Sequence, residues 1–231
     1  IELTDNRTLR VMTTGGEKLK KYYSPRFTLY DEYGPTECTV ITTNFKVDKY
    51  YANIPIGKPI TNTGVYILND KLKSVKSGAV GEIFIYGAGV AAGYLNKPVL
   101  TAAKFLPDPF RPGEIMYRSG DLGRINSNRD IEYAGRRDYQ LKIRGYRIEP
   151  EEIEQKLIGY LNIRNVVVIP MDTDNKVILK AFYESGNLID SSRIKRYLAK
   201  RLPAYMIPDE FIRVDELPMS DTGKIDRIKI A

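Results

Sequence analysis

Histidine and tryptophan are absent from the 231-residue sequence, and cysteine occurs once, at Cys38. Each gap closes off a chemistry. Without histidine there is no Ser-His-Asp or Cys-His triad and no ordinary zinc site. Any reaction therefore rests on Lys, Arg, Asp, Glu, Thr or a borrowed metal. A single cysteine forms no internal disulfide and no cysteine-rich metal site, and a reducing cytoplasm is its natural setting. Apolar runs, such as 165–170, are far too short to span a bilayer, and residues 1–5 do not read as a signal peptide. No internal repeat or low-complexity tract is present.

The residues that are there, 42% hydrophobic and 28% charged, suit one large or two small globular domains. A formal charge of +7 favours anionic partners, with small-molecule phosphates and nucleic acid equally allowed. Residues 10–19 read as a short strand, a Gly15-Gly16 turn and a helix start at Glu17, a junction where a ligand can approach the backbone. A second strand over 26–30 leads into Asp31-Glu32-Tyr33-Gly34-Pro35-Thr36-Glu37. Gly34 and Pro35 shape the turn there, and Thr36 and Glu37 stand at a strand end. They form either a phosphate-plus-Mg²⁺ pair or an ordinary surface turn. Short strands are expected at 64–68, 81–86, 115–118, 122–125 and 130–133, in the manner of a small distorted antiparallel barrel, with a short helix started by Thr101. Asp121 follows a glycine turn; it either accepts a sugar diol or caps a turn.

The stretch 135–154 gathers five cations, Arg136, Arg137, Lys142, Arg144 and Arg147, between glycine turns and ahead of a helix that starts at Pro150 with acids around it. It reads as a solvated basic strand or as a joint between two bodies. Beyond it lies a smaller α+β unit: a helix striped with Ile153, Leu157, Ile158 and Leu161, strands at 166–169, 177–183 and 210–214, and a second helix capped by Ser191 or Ser192. Lys224, just past Gly223, is a tail charge or a mobile cation offered to an anion.

Taken together, the blocks TTGGEKL, YGPTE, IPIGKPI, GEIFIYGAGVAAGYLNKPVLT with KF, YRSGDLGR, GRRDYQLKIRGYRIEPEEIE, LPAYMIP and TGKIDR run from Thr13 to Arg227. In this order they resemble the adenylate-forming enzymes, most closely the amino-acid adenylation domains of nonribosomal peptide synthetases. D-alanyl carrier-protein ligases and acyl-CoA synthetases share the scheme. The resemblance implies an α+β fold. Residues 1–137 would be the rear of a large core domain with a distorted antiparallel β-barrel, and residues 138–231 a small mobile domain beyond a hinge.

It also implies roles. Gly15 and Gly16 would lie against the adenine of ATP, Tyr33 would stack on it and Asp31 would accept its amino group, with Gly34 in the same loop. Thr36 would touch the α-phosphate and Glu37 would bind Mg²⁺. Asp121, helped by Arg136, would hold the ribose hydroxyls, and Lys224 would reach the substrate carboxylate and the phosphate. Asp138 matches the hinge, and Lys142, Arg144 and Gly145 match the strand that faces the site during thiolation. Met12, Thr14, Glu32, Val40 and Ile41 would face the amino acid. A fixed cation and Mg²⁺ offset the repulsion as one anion attacks another, and no proton needs to move in that step.

The implied partners are an amino acid and a phosphopantetheinylated peptidyl carrier protein, with no nucleic acid and no membrane. The family's front half, with its phosphate loop and its acid for the ammonium group, is absent from these residues. Activity is therefore expected to need that segment. Two rival readings are a basic nucleic-acid-binding module, which lacks interleaved aromatics, and a non-catalytic fragment that docks a carrier protein.

Overall fold

A computed structural model describes residues 8–17, 19, 26–143, 145–173, 177–220 and 225–230. The chain divides into two compact units, one ending at Asp138 and the other beginning at Tyr139. Each contains its own sheets, helices and apolar core, which makes the fold α+β.

The first unit opens with β1 (Val11–Gly15), β2 (Thr28–Tyr33), β3 (Thr43–Val47) and β4 (Lys58–Pro59), which form one sheet in that order. β1 and β2 are parallel, with Gly15 opposite Glu32, and β3 runs antiparallel to β2. β2 continues three residues past the strand expected at 26–30. Leu29, Asp31 and Tyr33 alternate inward, and β3 satisfies the backbone out to Tyr33. A Cβ on Gly15 would fall 2.5 Å from the Glu32 carbonyl oxygen, so the two strands run close only because that position is glycine.

The second sheet holds β5 (Thr63–Leu68), β6 (Gly81–Gly87), β7 (Phe105–Pro107), β8 (Ile115–Ile125) and β9 (Ile131–Arg136). All its pairings are antiparallel, in the order β5-β6-β8-β7, with β9 also on β8. The two strands expected at 115–118 and 122–125 are one eleven-residue strand. Ser119-Gly120 bends it without ending it: Gly120 takes φ +78°, and the register shifts where β8 meets β6 and β9. These bulges curl the sheet around Ile67, Ile83, Ile85, Phe105, Tyr117 and Ile131. Helix α1 (Pro98–Lys104) begins earlier than Thr101 because Pro98 presets the first turn.

In the second unit, β10 (Leu141–Ile143) and β11 (Tyr146–Ile148) form a hairpin that leads into α2 (Pro150–Leu157). β12 (Asn165–Asp172), β13 (Val177–Glu184) and β14 (Glu210–Val214) make a three-stranded sheet, with α3 (Ser191–Ala199) between the last two in sequence. The stripe read through Ile158 and Leu161 stops at Leu157. Gly159 turns the chain at φ +82°, Leu161 is itself left-handed, and Ile158 is exposed. The cap of α3 is Asp190, whose carboxylate accepts from Ser192 N; it is neither Ser191 nor Ser192. Among the described residues no helix is long and apolar enough to cross a membrane.

Candidate active site

The carboxyl ends of the parallel pair β1 and β2 bring Gly15-Gly16 beside the loop after Tyr33. Open parallel sheets receive ligands at such strand ends. Gly16 has φ +89°, with nothing within 4 Å of where a Cβ would sit. At Gly34 a Cβ would lie 2.3 Å from Val40 O, because the loop folds back until Thr42 N donates to Tyr33 O at 2.7 Å. The short 3₁₀ turn Thr36–Cys38 occupies the bend. Glu37 on this turn accepts the Tyr94 hydroxyl at Oε1, at 2.5 Å. Tyr94 is in turn set by its backbone N–H donating to Thr101 Oγ1 at 2.9 Å and by an edge contact with Phe105.

Asp121 stands next to this loop because Tyr33 reaches it. The Tyr33 hydroxyl donates to Asp121 Oδ2 at 2.6 Å, and Arg136 Nη1 donates to Oδ1 at 2.6 Å. The rest of the Arg136 guanidinium forks onto Asp138, Nε to Oδ1 at 2.6 Å and Nη2 to Oδ2 at 2.8 Å, and Nη2 also meets Ser119 O. Ser119 Oγ donates to Ile83 O and accepts from Asp121 N, which pins the turn. A Cβ on Gly120 would sit 2.8 Å from both Arg136 Nη2 and Asp138 Oδ2, so glycine leaves room for this network. Lys104 Nζ is 4.0 Å from Asp138. On the other side, Arg137 pairs with Glu82 and Asp70, and Arg118 forks onto the buried Glu82.

These surroundings shift several groups. Burial, reinforced by the Asp121 charge, pushes the Tyr33 hydroxyl well above its usual range. Burial and then the neighbouring Glu32 raise Asp31 to about 7. Burial works against the charge of Arg136, but Asp138 and Asp121 more than offset that and hold it firmly protonated. Both oxygens of the Asp121 carboxylate, inside β8, are thus held, one by a phenol and the other by a guanidinium.

Residues 2–95 match the family model for AMP-binding enzymes, and residues 152–224 match that for the AMP-binding enzyme C-terminal domain. The chain belongs to the AMP-binding enzyme family. Bacitracin synthase 1 of Bacillus licheniformis is 46% identical to it over 224 residues, 96% of this chain but 4% of that protein. Among solved structures, holo-PA1221, an NRPS protein containing adenylation and PCP domains bound to a vinylsulfonamide inhibitor, superposes with TM-score 0.80. It is 29% identical, over 97% of this chain and 40% of that one. The Vibrio cholerae adenylation domain AlmE, solved with glycyl-adenosine-5'-phosphate, gives TM-score 0.81 at 26% identity, over 96% of this chain and 44% of that one. The chain thus spans a small fraction of its curated relatives and under half of these solved structures.

For this AMP-binding family member, the geometry gathers Gly15, Gly16, Tyr33, Gly34, Thr36, Glu37, Asp121, Arg136 and Asp138 in or beside one strand-end cluster, with Asp31 buried two residues before Tyr33. It does not gather everything. Glu32 alternates to the face of β2 opposite Asp31, whereas Met12 packs toward the cluster of Phe27 and Leu29 and Thr14 lies opposite Asp31 in register. Val40 is exposed at φ +71° in the returning loop, next to Ile41. The Tyr33 ring is only 7% exposed, which leaves little face for stacking on a base. Lys142 and Gly145 lie in and after β10 of the second unit; Arg144 and Lys224 fall outside the described residues. Of the described cations over 136–147, Arg136, Arg137 and Arg147 are paired with carboxylates. The motifs that contain Tyr94, Ser119 and Lys104 assign these residues no role. Only the fold carries Tyr94 to a glutamate 57 residues away.

Proposed function

We propose that this chain is part of an adenylation domain that activates an amino acid with ATP and then passes the aminoacyl group to the phosphopantetheine thiol of a carrier protein. In the first step a carboxylate oxygen bonds to the α-phosphorus of ATP as the bond to the bridging oxygen breaks, releasing pyrophosphate. In the second, the thiol sulfur attacks the aminoacyl carbonyl, AMP leaves, and the thiol proton passes to solvent. The observation that carries this reading is the strand-end cluster itself. There the Gly15-Gly16 turn, the Thr36-Glu37 loop and the paired Asp121–Arg136 meet beside the carboxyl ends of two parallel strands.

In this cluster Asp121 accepts the two ribose hydroxyls, and Arg136 and Tyr33 hold it in place. Asp31 accepts the adenine amino group, Gly15 and Gly16 let the base approach the backbone, and Thr36 donates to the α-phosphate. The donor set also fits Mg²⁺, which binds through one or two carboxylates and substrate phosphates. Glu37, already oriented by Tyr94, is that carboxylate. When bound, Mg²⁺ neutralises charge developing on the phosphates.

Lys224 supplies the cation of the first half-reaction. Asp138 is the pivot, and the segment of Lys142, Arg144 and Gly145 serves the second half-reaction. Met12, Thr14, Val40 and Ile41 border the amino acid. On this reading the reaction belongs in the cytoplasm, where ATP is made and the Cys38 thiol stays reduced. The test is ATP–pyrophosphate exchange by the intact protein carrying these residues, with each proteinogenic amino acid offered in turn. One or a few amino acids are expected to raise exchange by about tenfold or more over none, a difference worth ~1.4 kcal/mol. If no amino acid stimulates exchange while ATP still binds, the proposal is wrong.

A further inference from the structure

Arg227 opens the 3₁₀ turn Arg227–Lys229, and its guanidinium is bonded on several sides. Its side chain is 11% exposed. Nη1 donates to Val168 O at 2.9 Å, and Nη2 donates to Glu154 Oε2 at 2.8 Å and to Glu151 Oε1 at 3.4 Å. The guanidinium also lies over the ring of Tyr139, 4.3 Å from its centroid. Glu154 is buried on α2, and its other oxygen accepts Val168 N at 2.6 Å, so β12 and Arg227 share one carboxylate. Just upstream, Asp226 N donates to Pro218 O at 2.7 Å, and Ile225 bridges to Met219 and packs with the cluster of Val167, Ile169 and Leu217. A buried, forked cation is a directional fastening, costly to desolvate and intolerant of displacement.

Two parts of the second unit that are distant in sequence meet at this guanidinium. One is Tyr139, the unit's first residue; the other is the backbone three residues after Lys224. We propose that Arg227 is a positioning residue that ties residues 225–227, which follow Lys224 in sequence, and the start of the unit to Glu154, and so limits the reach of Lys224 from the pivot. The proposal rests on the reading of Lys224 as the cation of adenylate formation. A lysine stem is flexible, so the placement of its ammonium depends on where its backbone is held, and an error of about 1 Å costs about a hundredfold in rate.

The test uses Arg227→Gln in the intact protein, with the amino acid that drives the strongest exchange. Pyrophosphate exchange should fall by about a hundredfold. Transfer of a supplied aminoacyl adenylate to pantetheine should stay within about twofold, and adding Arg227→Gln to Lys224→Ala should cause little further loss. Independently of activity, tryptic cleavage at the Lys224–Ile225 bond should quicken by about tenfold while cleavage at Lys180–Ala181 in β13 does not change. Equal loss in both half-reactions, additive losses, or equal quickening at both bonds would mean a merely structural arginine and overturn the proposal. If Lys224→Ala leaves exchange intact, the lysine's assigned role fails, while the cleavage comparison still judges the fastening. Should Arg227→Gln not fold, Glu154→Gln keeps an acceptor for Val168 N and should show the same split with a smaller loss. No split in that variant refutes the idea.

Discussion

Replacing Arg136 by methionine removes the guanidinium while keeping most of the side chain's bulk, and the structure sets the expected cost. The Asp121 and Arg136 side chains are 7% and 11% exposed, so the substitution strands a carboxylate that water barely reaches. Removing one member of a buried ion pair costs ~3–5 kcal/mol. The Tyr33 hydroxyl, still 2.6 Å from Asp121 Oδ2, puts the cost near the lower end of that range. Asp138, whose side chain is 37% exposed, can turn to solvent and adds at most ~1 kcal/mol. The expected loss is about 3–4 kcal/mol in the stability of the first unit, read by hydrogen exchange of the β8 peptide across a urea series. Asp121→Asn serves as the second arm of a double-mutant cycle, and the combined variant should lose less than the sum of the singles by roughly 2 kcal/mol. A drop below ~1 kcal/mol, or simple additivity, would mean that Asp121 is solvated and that the cluster is not held together in this way.

Asp31 makes stability depend on pH in the direction opposite to most carboxylates. Its raised value near 7 means that its neutral form favours folding, a contribution whole below the unfolded value of 3.8 and lost as pH rises through about 7. Urea midpoints should therefore fall on going from acidic to mildly alkaline buffer, and Asp31→Asn should remove that slope; a slope that persists in the variant counts against a buried carboxyl. Gly15→Ala forces a methyl to within 2.5 Å of Glu32 O, so it should part β1 from β2, cost ~1–3 kcal/mol and weaken ATP binding by calorimetry. Wild-type stability and affinity in that variant would contradict the close approach. Asp138→Pro fixes one backbone dihedral at the unit boundary, and it should depress one half-reaction of the cycle far more than the other. Unchanged overall turnover would remove Asp138 from the role of pivot.

Strands rich in β-branched residues were legible in the sequence: the runs 166–169 and 177–183 lie within β12 and β13 because their apolar side chains have both a core and a partner strand. Breaks were harder to read. Ser119-Gly120 looks like a strand end, yet neighbours on both sides of β8 supply enough pairing to carry the strand through a bulge. At α2 the error ran the other way, since an apolar stripe cannot show that Gly159 will adopt a left-handed turn. Motifs drew attention to Asp121 and Arg136, and the structure pairs them. Which atoms they touch was not readable, because Tyr33 meets Asp121 across 88 residues and only the packing of the two sheets determines that contact.

β8 is the member of its sheet paired to three other strands, β6, β7 and β9, and Asp121 is mounted on it. Moving that carboxylate by even one residue would tear ladders on both flanks at once. On the proposed function, the sugar's anchorage is therefore a fixed datum, and the travel between half-reactions falls to parts joined beyond it.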